Sequence, residues 1–139
     1  MIVADSNTIL YFLIPGQYTE QAKAVFKKDC QWVAPPLWRS EFCNVLALYL
    51  RQGLLTLEQA KQLIQKATFL MQGAEHEVDL SEVLTLSSIS GCSAYDCEFV
   101  ALAKKLNVLM VTTDRKLLKA FPSETISMDK FIKEPNVDS

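Results

Sequence analysis

The sequence has few of the residues on which several common kinds of enzyme site depend. Its four cysteines form no CxxC pair and its one histidine is His76, so the ligand spacing of a zinc site is absent. Its four glycines are scattered along the chain, which excludes a glycine-rich phosphate loop. A Ser–His–Asp triad has no GxSxG motif to support it, and His76 is interpreted as structural. The cysteines are interpreted as reduced, mostly buried side chains.

The sequence also has no long apolar run and no excess of basic charge. No stretch approaches the ~18 to 20 apolar residues of a membrane span, and the N-terminus lacks the basic region of a secretory signal. We therefore expect a cytoplasmic protein without membrane contact. At 139 residues, half of them hydrophobic, the chain is predicted to form a single domain over residues 1–134, followed by a tail at 135–139.

A helix followed by a buried strand is predicted in the stretch that ends at Asp114. Ser93 and Asp96 have the spacing of a capping box, and apolar residues then recur at helical spacing. The apolar run 108–111 is typical of a parallel strand covered on both faces, and two threonines and Asp114 follow it. Because ligands bind at the carboxyl ends of strands in open α/β sheets, Asp114 is a candidate site residue.

Three further acids occupy comparable positions. Asp5 follows the apolar N-terminal run and precedes a helical pattern. Glu41 lies in the first turn of a helix that is predicted to begin at Leu37 or Trp38, directly after two prolines. Asp96 lies in the first turn of the helix described above. Two of the four acids therefore follow predicted strands, and the other two lie in the first turns of predicted helices.

Each of these acids, taken singly, has a structural explanation. Asp5 and Asp114 would cap the helices that they precede. Asp96 would complete a capping box, and Glu41 would stabilise the start of its helix electrostatically. Such roles are common at these positions and need no shared site.

The helical faces of Glu41 and Asp96 nevertheless favour a shared site. Glu41 lies on the same stripe as Val45, and Asp96 on the same stripe as Phe99, so both carboxylates are predicted to face the sheet. Four carboxylates close together would repel one another and raise their pKa values. A bound divalent cation removes that penalty, and oxygen ligands without a His or Cys cluster favour Mg²⁺ or Mn²⁺ over zinc.

The order of the predicted elements indicates the fold class. Strands are predicted at 1–4, 31–34, 75–78, 108–111 and 125–128, and helical patterns separate them. This alternation predicts an α/β fold, a three-layer α/β/α sandwich around a mostly parallel sheet of about five strands.

The motifs that carry the four acids occur in a specific order. They are DSN at 5–7, Glu41, SAYD at 93–96 running into VALA at 100–103, and VTTD at 111–114. This order resembles the PIN domain family of metal-dependent ribonucleases, and within it the small VapC-type toxins of prokaryotic toxin–antitoxin pairs. The resemblance covers nearly the whole chain and implies a PIN-like fold. It implies the following site residues: Asp5, Glu41, Asp96 and Asp114 as catalytic metal ligands, with Asn7 and Thr112 or Thr113 as supporting polar residues.

The function that the resemblance implies is a Mg²⁺- or Mn²⁺-dependent endoribonuclease whose substrate is RNA. An antitoxin protein and a second copy of the chain are implied as partners, on the helical hairpin that follows Pro36. The alternative is a catalytically inactive PIN-like module that binds RNA or a protein partner. Basic residues near the acids in sequence are candidates for contact with RNA phosphates. They are Arg39, Lys104, Lys105, Arg115, Lys116 and Lys119.

Overall fold

Four short parallel strands form the sheet in the computed structural model, which describes residues 1–135. Their order across the sheet is β2-β1-β3-β4, and each neighbouring pair is parallel. The strands are β1 (Ile2–Ala4), β2 (Trp32–Val33), β3 (Met110–Val111) and β4 (Thr125–Ile126). All of their residues are buried, as expected for a parallel sheet with both faces covered.

Helices connect the strands, because a parallel pair cannot be joined by a tight turn. They are α1 (Ser6–Leu13), α2 (Thr19–Lys28), α3 (Trp38–Arg51), α4 (Leu57–Leu70), α5 (Leu80–Ser90), α6 (Ala94–Leu106), α7 (Arg115–Ala120) and α8 (Met128–Lys133). The predicted α/β fold class is thereby confirmed.

The strand predicted at 75–78 is reduced to one parallel bridge between Ala34 and Glu75. Ala34 donates its N–H to the Ala74 carbonyl and accepts from the N–H of His76. Pro35 follows and has no N–H to donate, so the pairing ends there. The sheet therefore has four strands within residues 1–135, and this bridge marks the position of the predicted fifth.

The predicted strand at 125–128 was too long, and the helix after it was missed. β4 ends at Ile126, because the Ser127 side chain accepts a hydrogen bond from the Lys130 N–H and so begins α8. This helix packs on α2. The part of the predicted tail at 136–139 lies outside the described residues.

Two other predictions concern exposure and the membrane. Cys92 and Cys97 are buried, whereas Cys30 and Cys43 are exposed, so the expectation of mostly buried cysteines holds for two of the four. Between residues 1 and 135 no helix has the length and apolar character that crossing a membrane requires.

The sheet topology determines where the candidate site lies. Asp5 follows β1 and Asp114 is three residues beyond the end of β3. Because β1 and β3 are adjacent and parallel, their carboxyl ends lie at the same edge of the sheet. That edge is where open α/β sheets bind ligands.

Candidate active site

The four predicted acids line a single cavity of about 220 Å³. Asp5 and Asp114 reach it from the carboxyl edge of the sheet, and Glu41 and Asp96 from the first turns of α3 and α6. Asn7, also predicted from the sequence, lies at the same cavity. Four separate segments of the chain thus bring their carboxylates to the same cavity.

Asp5 is buried and has a hydrogen-bond partner on each carboxylate oxygen. Oδ1 accepts from the backbone N–H of Thr8 at 2.8 Å and from its hydroxyl at 2.7 Å. Oδ2 accepts from the Thr112 hydroxyl at 2.5 Å. Burial raises the pKa of Asp5, and these hydrogen bonds act against that effect, while the Asp96 charge adds to it. Asp5 therefore caps α1, as its structural explanation predicted, and also lies in the cavity.

Glu41 is half-buried in the first turn of α3. Its Oε1 accepts a hydrogen bond from the Ser6 hydroxyl at 2.6 Å. Burial raises the pKa of Glu41, the Ser6 hydrogen bond opposes this, and repulsion from Asp96 and Asp5 adds to it. Glu41 is thus close enough to the other acids to be affected by their charges.

Asp96 makes only half of the predicted capping box. Its backbone N–H donates to the Ser93 hydroxyl at 3.1 Å, but the Ser93 N–H makes no return bond to the carboxylate within residues 1–135. In the box of Thr56 and Gln59 both bonds are present. Burial raises the pKa of Asp96 and repulsion from Asp114 adds to it. The capping box therefore does not account for this carboxylate.

Asp114 caps α7. Its Oδ1 accepts from the backbone N–H groups of Lys116 at 2.9 Å and Leu117 at 3.1 Å. The Asp114 N–H in turn donates to the Thr112 hydroxyl at 3.1 Å. The capping explanation is correct for this residue too, and it is compatible with a place in the cavity lining.

Comparison with known proteins decides the family. A family model described as the PIN domain matches residues 2–121. The chain belongs to the PIN domain family. Ribonuclease VapC3 of Pyrobaculum aerophilum is 26% identical over 125 residues, which cover 88% of this chain and 95% of that protein. The resemblance inferred from the motifs is thereby confirmed.

Two solved structures have the same fold as this PIN domain. PAE2754 from Pyrobaculum aerophilum superposes with a TM-score of 0.73 at 20% identity, over 94% of this chain and 92% of that one. FitAcB from Neisseria gonorrhoeae gives a TM-score of 0.69 at 20% identity, over 92% of this chain and 98% of that one. At such identities the likeness concerns the fold.

Supporting polar residues surround the acids of the PIN domain. The buried Thr112 hydroxyl connects Asp5 with the backbone of Asp114. Asn7 is exposed at the cavity, and Thr113 is half-buried and does not line it.

Three polar residues at or behind the cavity were missed by the sequence analysis. Ser6 and Asn44 line it, and Thr8 lies behind Asp5. Asn44 is three residues after Glu41 on the same helix, so the spacing of neighbouring side chains on a helix could have identified it.

Three of the basic candidates contact groups other than the four acids of the cavity. Arg39 Nε donates to Glu75 at 2.7 Å. Lys104 pairs with Glu82 at 3.5 Å, and Lys105 donates to a backbone carbonyl at 2.9 Å. These two lysines are at the far end of α6, about 12 Å along the helix axis from Asp96.

The remaining basic candidates are on α7, next to the cavity. Arg115, Lys116 and Lys119 are exposed there. Lys116 is near enough for its charge to oppose the rise in the pKa of Asp96. Closeness in sequence to the acids therefore predicted closeness to the cavity for the basic residues of α7, but not for those at the end of α6.

The donor chemistry of the cavity fits a hard divalent cation. Carboxylate oxygens are the ligands that Mg²⁺ and Mn²⁺ prefer. Burial raises the pKa values of Asp5, Glu41 and Asp96, and repulsion between acids adds to the rise, so a bound cation would favour their ionised forms. Within residues 1–135 no three His, Cys, Asp or Glu side chains form a ready-made ligand cage. Mg²⁺ commonly binds through one or two carboxylates and keeps several waters, and a cavity of about 220 Å³ has room for them.

Proposed function

We propose that this PIN domain is a Mg²⁺- or Mn²⁺-dependent endoribonuclease that hydrolyses RNA phosphodiester bonds, and that it is the toxin of a toxin–antitoxin pair. Membership of the family and the relative named Ribonuclease VapC3 support a ribonuclease. The observation that carries the proposal is the convergence of four carboxylates on one cavity.

In this proposal the acids act as metal ligands. Asp5, Asp96 and Asp114 bind the ion directly, and Glu41 binds it directly, through a water molecule, or acts as a base. A bound ion would supply a water molecule of lowered pKa and would neutralise charge on the phosphate oxygens, the chemistry that hydrolysis of a phosphodiester requires.

Hydroxyl groups of the chain orient two of these carboxylates. Thr8 and Thr112 hold the two oxygens of Asp5, and Ser6 holds one oxygen of Glu41. Each hydroxyl donates a hydrogen bond to a carboxylate oxygen. Such a bond favours the ionised carboxylate that metal binding requires.

The cations of α7 are proposed to attract the RNA backbone. Arg115 and Lys116 are exposed on the first turn of α7, directly after Asp114. Phosphate contacts of this kind supply affinity that depends on salt and not on base sequence. If Arg115 and Lys116 have this role, RNA should bind more weakly as the salt concentration rises.

The partner surface is proposed to be the α3–α4 hairpin. A cavity of about 390 Å³ lies between the two helices, and Leu57 at its edge is 59% exposed. Exposed apolar surface of this kind marks contacts with other proteins. We assign it to the antitoxin and to a second copy of the chain, and we expect the complex to be cytoplasmic.

RNA cleavage by the purified chain tests the proposed activity. Labelled RNA is incubated with MgCl₂, MnCl₂ or EDTA, and the wild type is compared with Asp96→Asn and with Asp129→Asn, an exposed acid on α8 outside the cavity. We expect cleavage that needs the metal, is lost in Asp96→Asn and persists in Asp129→Asn. Metal binding without cleavage of any RNA would instead favour the inactive binding module.

A further inference from the structure

Asn44 lines the acidic cavity from the second turn of α3. It follows Glu41 by three residues and precedes Val45, and all three residues line this cavity. Because residues three and four apart share one face of a helix, Asn44 lies on the face of Glu41, roughly 4.5 Å further along the helix axis. Its side chain is exposed, and within residues 1–135 its carboxamide makes no hydrogen bond. The amide group is therefore available to a molecule that enters the cavity.

Free hydrogen-bond donors are scarce among the side chains that line the cavity. Ionised carboxylates can only accept hydrogen bonds, and the Ser6 hydroxyl already donates its one proton to Glu41. No lysine or arginine of the described chain lines the cavity, and the remaining lining residues are apolar except for two asparagines. Among the described residues, the lining side chains with free N–H groups are thus those of Asn7 and Asn44. Asn7 belongs to the residues that the family resemblance implies, whereas Asn44 does not.

A phosphodiester that enters this cavity needs donors of this kind. Its non-bridging oxygens accept hydrogen bonds and cannot donate them, and their negative charge is repelled by carboxylates. Asparagine is among the side chains that donate to phosphate oxygens in complexes with nucleic acids. A ribose 2′-hydroxyl can instead donate to a carboxylate, so it finds partners in the cavity without an amide. A lysine would pair with the acids that the proposed ion requires, whereas a carboxamide donates two hydrogens and adds no charge.

We propose that the Asn44 carboxamide donates a hydrogen bond to a non-bridging oxygen of the RNA phosphodiester in the cavity and so positions it beside the acids. This role rests on the proposed ribonuclease function. The contact supplies affinity without displacing counterions, unlike the phosphate contacts proposed for the cations of α7. If Asn44 instead oriented a metal ligand, its removal would weaken metal binding. Separate titrations with RNA and with metal therefore distinguish the two roles.

The experiment compares RNA affinity and metal affinity in the same variants of the full chain. Asn44→Ala removes the carboxamide, and Asn44→Asp keeps its shape but replaces the donor with an acceptor. Gln62→Ala, which removes an exposed carboxamide of α4 outside the cavity, is the matched control.

RNA binding is measured by fluorescence anisotropy of a short, mixed-sequence, single-stranded RNA at several salt concentrations. The metal in this assay is CaCl₂, whose ion also takes oxygen ligands, and electrophoresis verifies that the RNA stays intact. Calorimetric titration with MnCl₂ in the absence of RNA measures metal affinity. Melting in EDTA verifies that each variant is folded.

We expect RNA binding to be about tenfold weaker in Asn44→Ala, the effect of losing a hydrogen bond to a charged group, and at least as weak in Asn44→Asp. The salt dependence of RNA affinity should be the same in Asn44→Ala and the wild type, because the lost contact is neutral. Asn44→Ala should bind Mn²⁺ like the wild type, and Gln62→Ala should match the wild type in both titrations.

Four results would overturn the role of Asn44 alone. They are wild-type RNA affinity in either Asn44 variant, an equal loss of RNA affinity in Gln62→Ala, a shallower salt dependence in Asn44→Ala, and weaker Mn²⁺ binding in Asn44→Ala. A wild type that binds no RNA would overturn the ribonuclease function and this inference with it.

Discussion

The Ser6 hydroxyl donates a 2.6 Å hydrogen bond to Glu41 Oε1, which joins the first turn of α1 to the first turn of α3. Ser6 is buried beside the acid that precedes it, Asp5. One oxygen of the Glu41 carboxylate is therefore fixed by a neutral donor, and the other remains for the cavity. The hydrogen bond therefore couples the position of Glu41 to α1, the helix that Asp5 caps.

Ser6→Ala is predicted to weaken metal binding by about tenfold, because residues that orient metal ligands typically contribute 10- to 100-fold to affinity. Loss of the hydroxyl leaves a half-buried carboxylate without its donor, so the pKa of Glu41 should rise further. Mn²⁺ titration by calorimetry measures the affinity. Ser40→Ala, at an exposed serine next to Glu41 in sequence, should bind Mn²⁺ like the wild type. Equal affinities in all three proteins would show that Ser6 does not orient a ligand.

Thr112→Val is predicted to destabilise the fold by about 1–3 kcal/mol, the range for buried polar groups that lose a partner. The valine has nearly the same shape, but it cannot donate to Asp5 Oδ2 or accept from the Asp114 N–H. Urea unfolding in EDTA measures the free energy, and Thr112→Ser, which keeps the hydroxyl, should recover much of the loss. A Val variant as stable as the wild type would contradict a structural role for this hydroxyl.

The positions of the candidate acids could be predicted because they follow from local signals and one general rule. Asp5 and Asp114 each come after an apolar run and before a helical pattern. Parallel strands place such residues at one edge of the sheet. For these two acids the structural and functional explanations did not compete, because a carboxylate that caps a helix at this edge also lines the cavity.

The contacts between elements could not be predicted, since they depend on how distant segments pack. Nothing in the sequence relates Ser6 to Glu41, or Arg39 to the Glu75 carboxylate that binds it. Lys104 and Lys105 follow Asp96 by eight and nine residues, and no local signal indicates that Lys104 pairs with Glu82 or that Lys105 donates to the Glu77 carbonyl.

The final helix was missed for a related reason. α8 begins only two residues after the end of β4, and Ile126 and Met128 alternate with Thr125 and Ser127 as they would in a longer strand. Its stability comes from packing, since Met128 and Phe131 are buried. Lys28 of α2 also donates to the carbonyls of Phe131 and Glu134 at the end of the helix. Such a tertiary cap leaves no local signal in the sequence.

Leu57→Glu is predicted to convert the proposed homodimer into a monomer. Leu57 lies at the apolar cavity between α3 and α4 and is exposed, so the substitution should change the stability of the monomer by no more than about 0.5 kcal/mol. A charge buried in an apolar contact should weaken dimerisation at least about tenfold. Light scattering after size exclusion measures the mass. Leu84→Glu, at an exposed position on α5, should stay dimeric, and the reverse pattern would assign the contact to α5.

Asp5→Asn is predicted to be more stable than the wild type at pH 7 in EDTA and to lose this advantage toward pH 4. Burial raises the pKa of Asp5 above its ordinary value of 3.8, so the unfolded chain releases this proton at a lower pH than the folded chain. The contribution of Asp5 to the stability of the metal-free wild type is therefore fully present below pH 3.8 and is lost as the pH rises through the folded pKa. Melting temperatures between pH 4 and 8 measure the difference between the two proteins, with Asp129→Asn, at an exposed acid outside the cavity, as the control. A constant gap between Asp5→Asn and the wild type would mean that the hydrogen bonds from Thr8 and Thr112 fully compensate for the burial of this carboxylate.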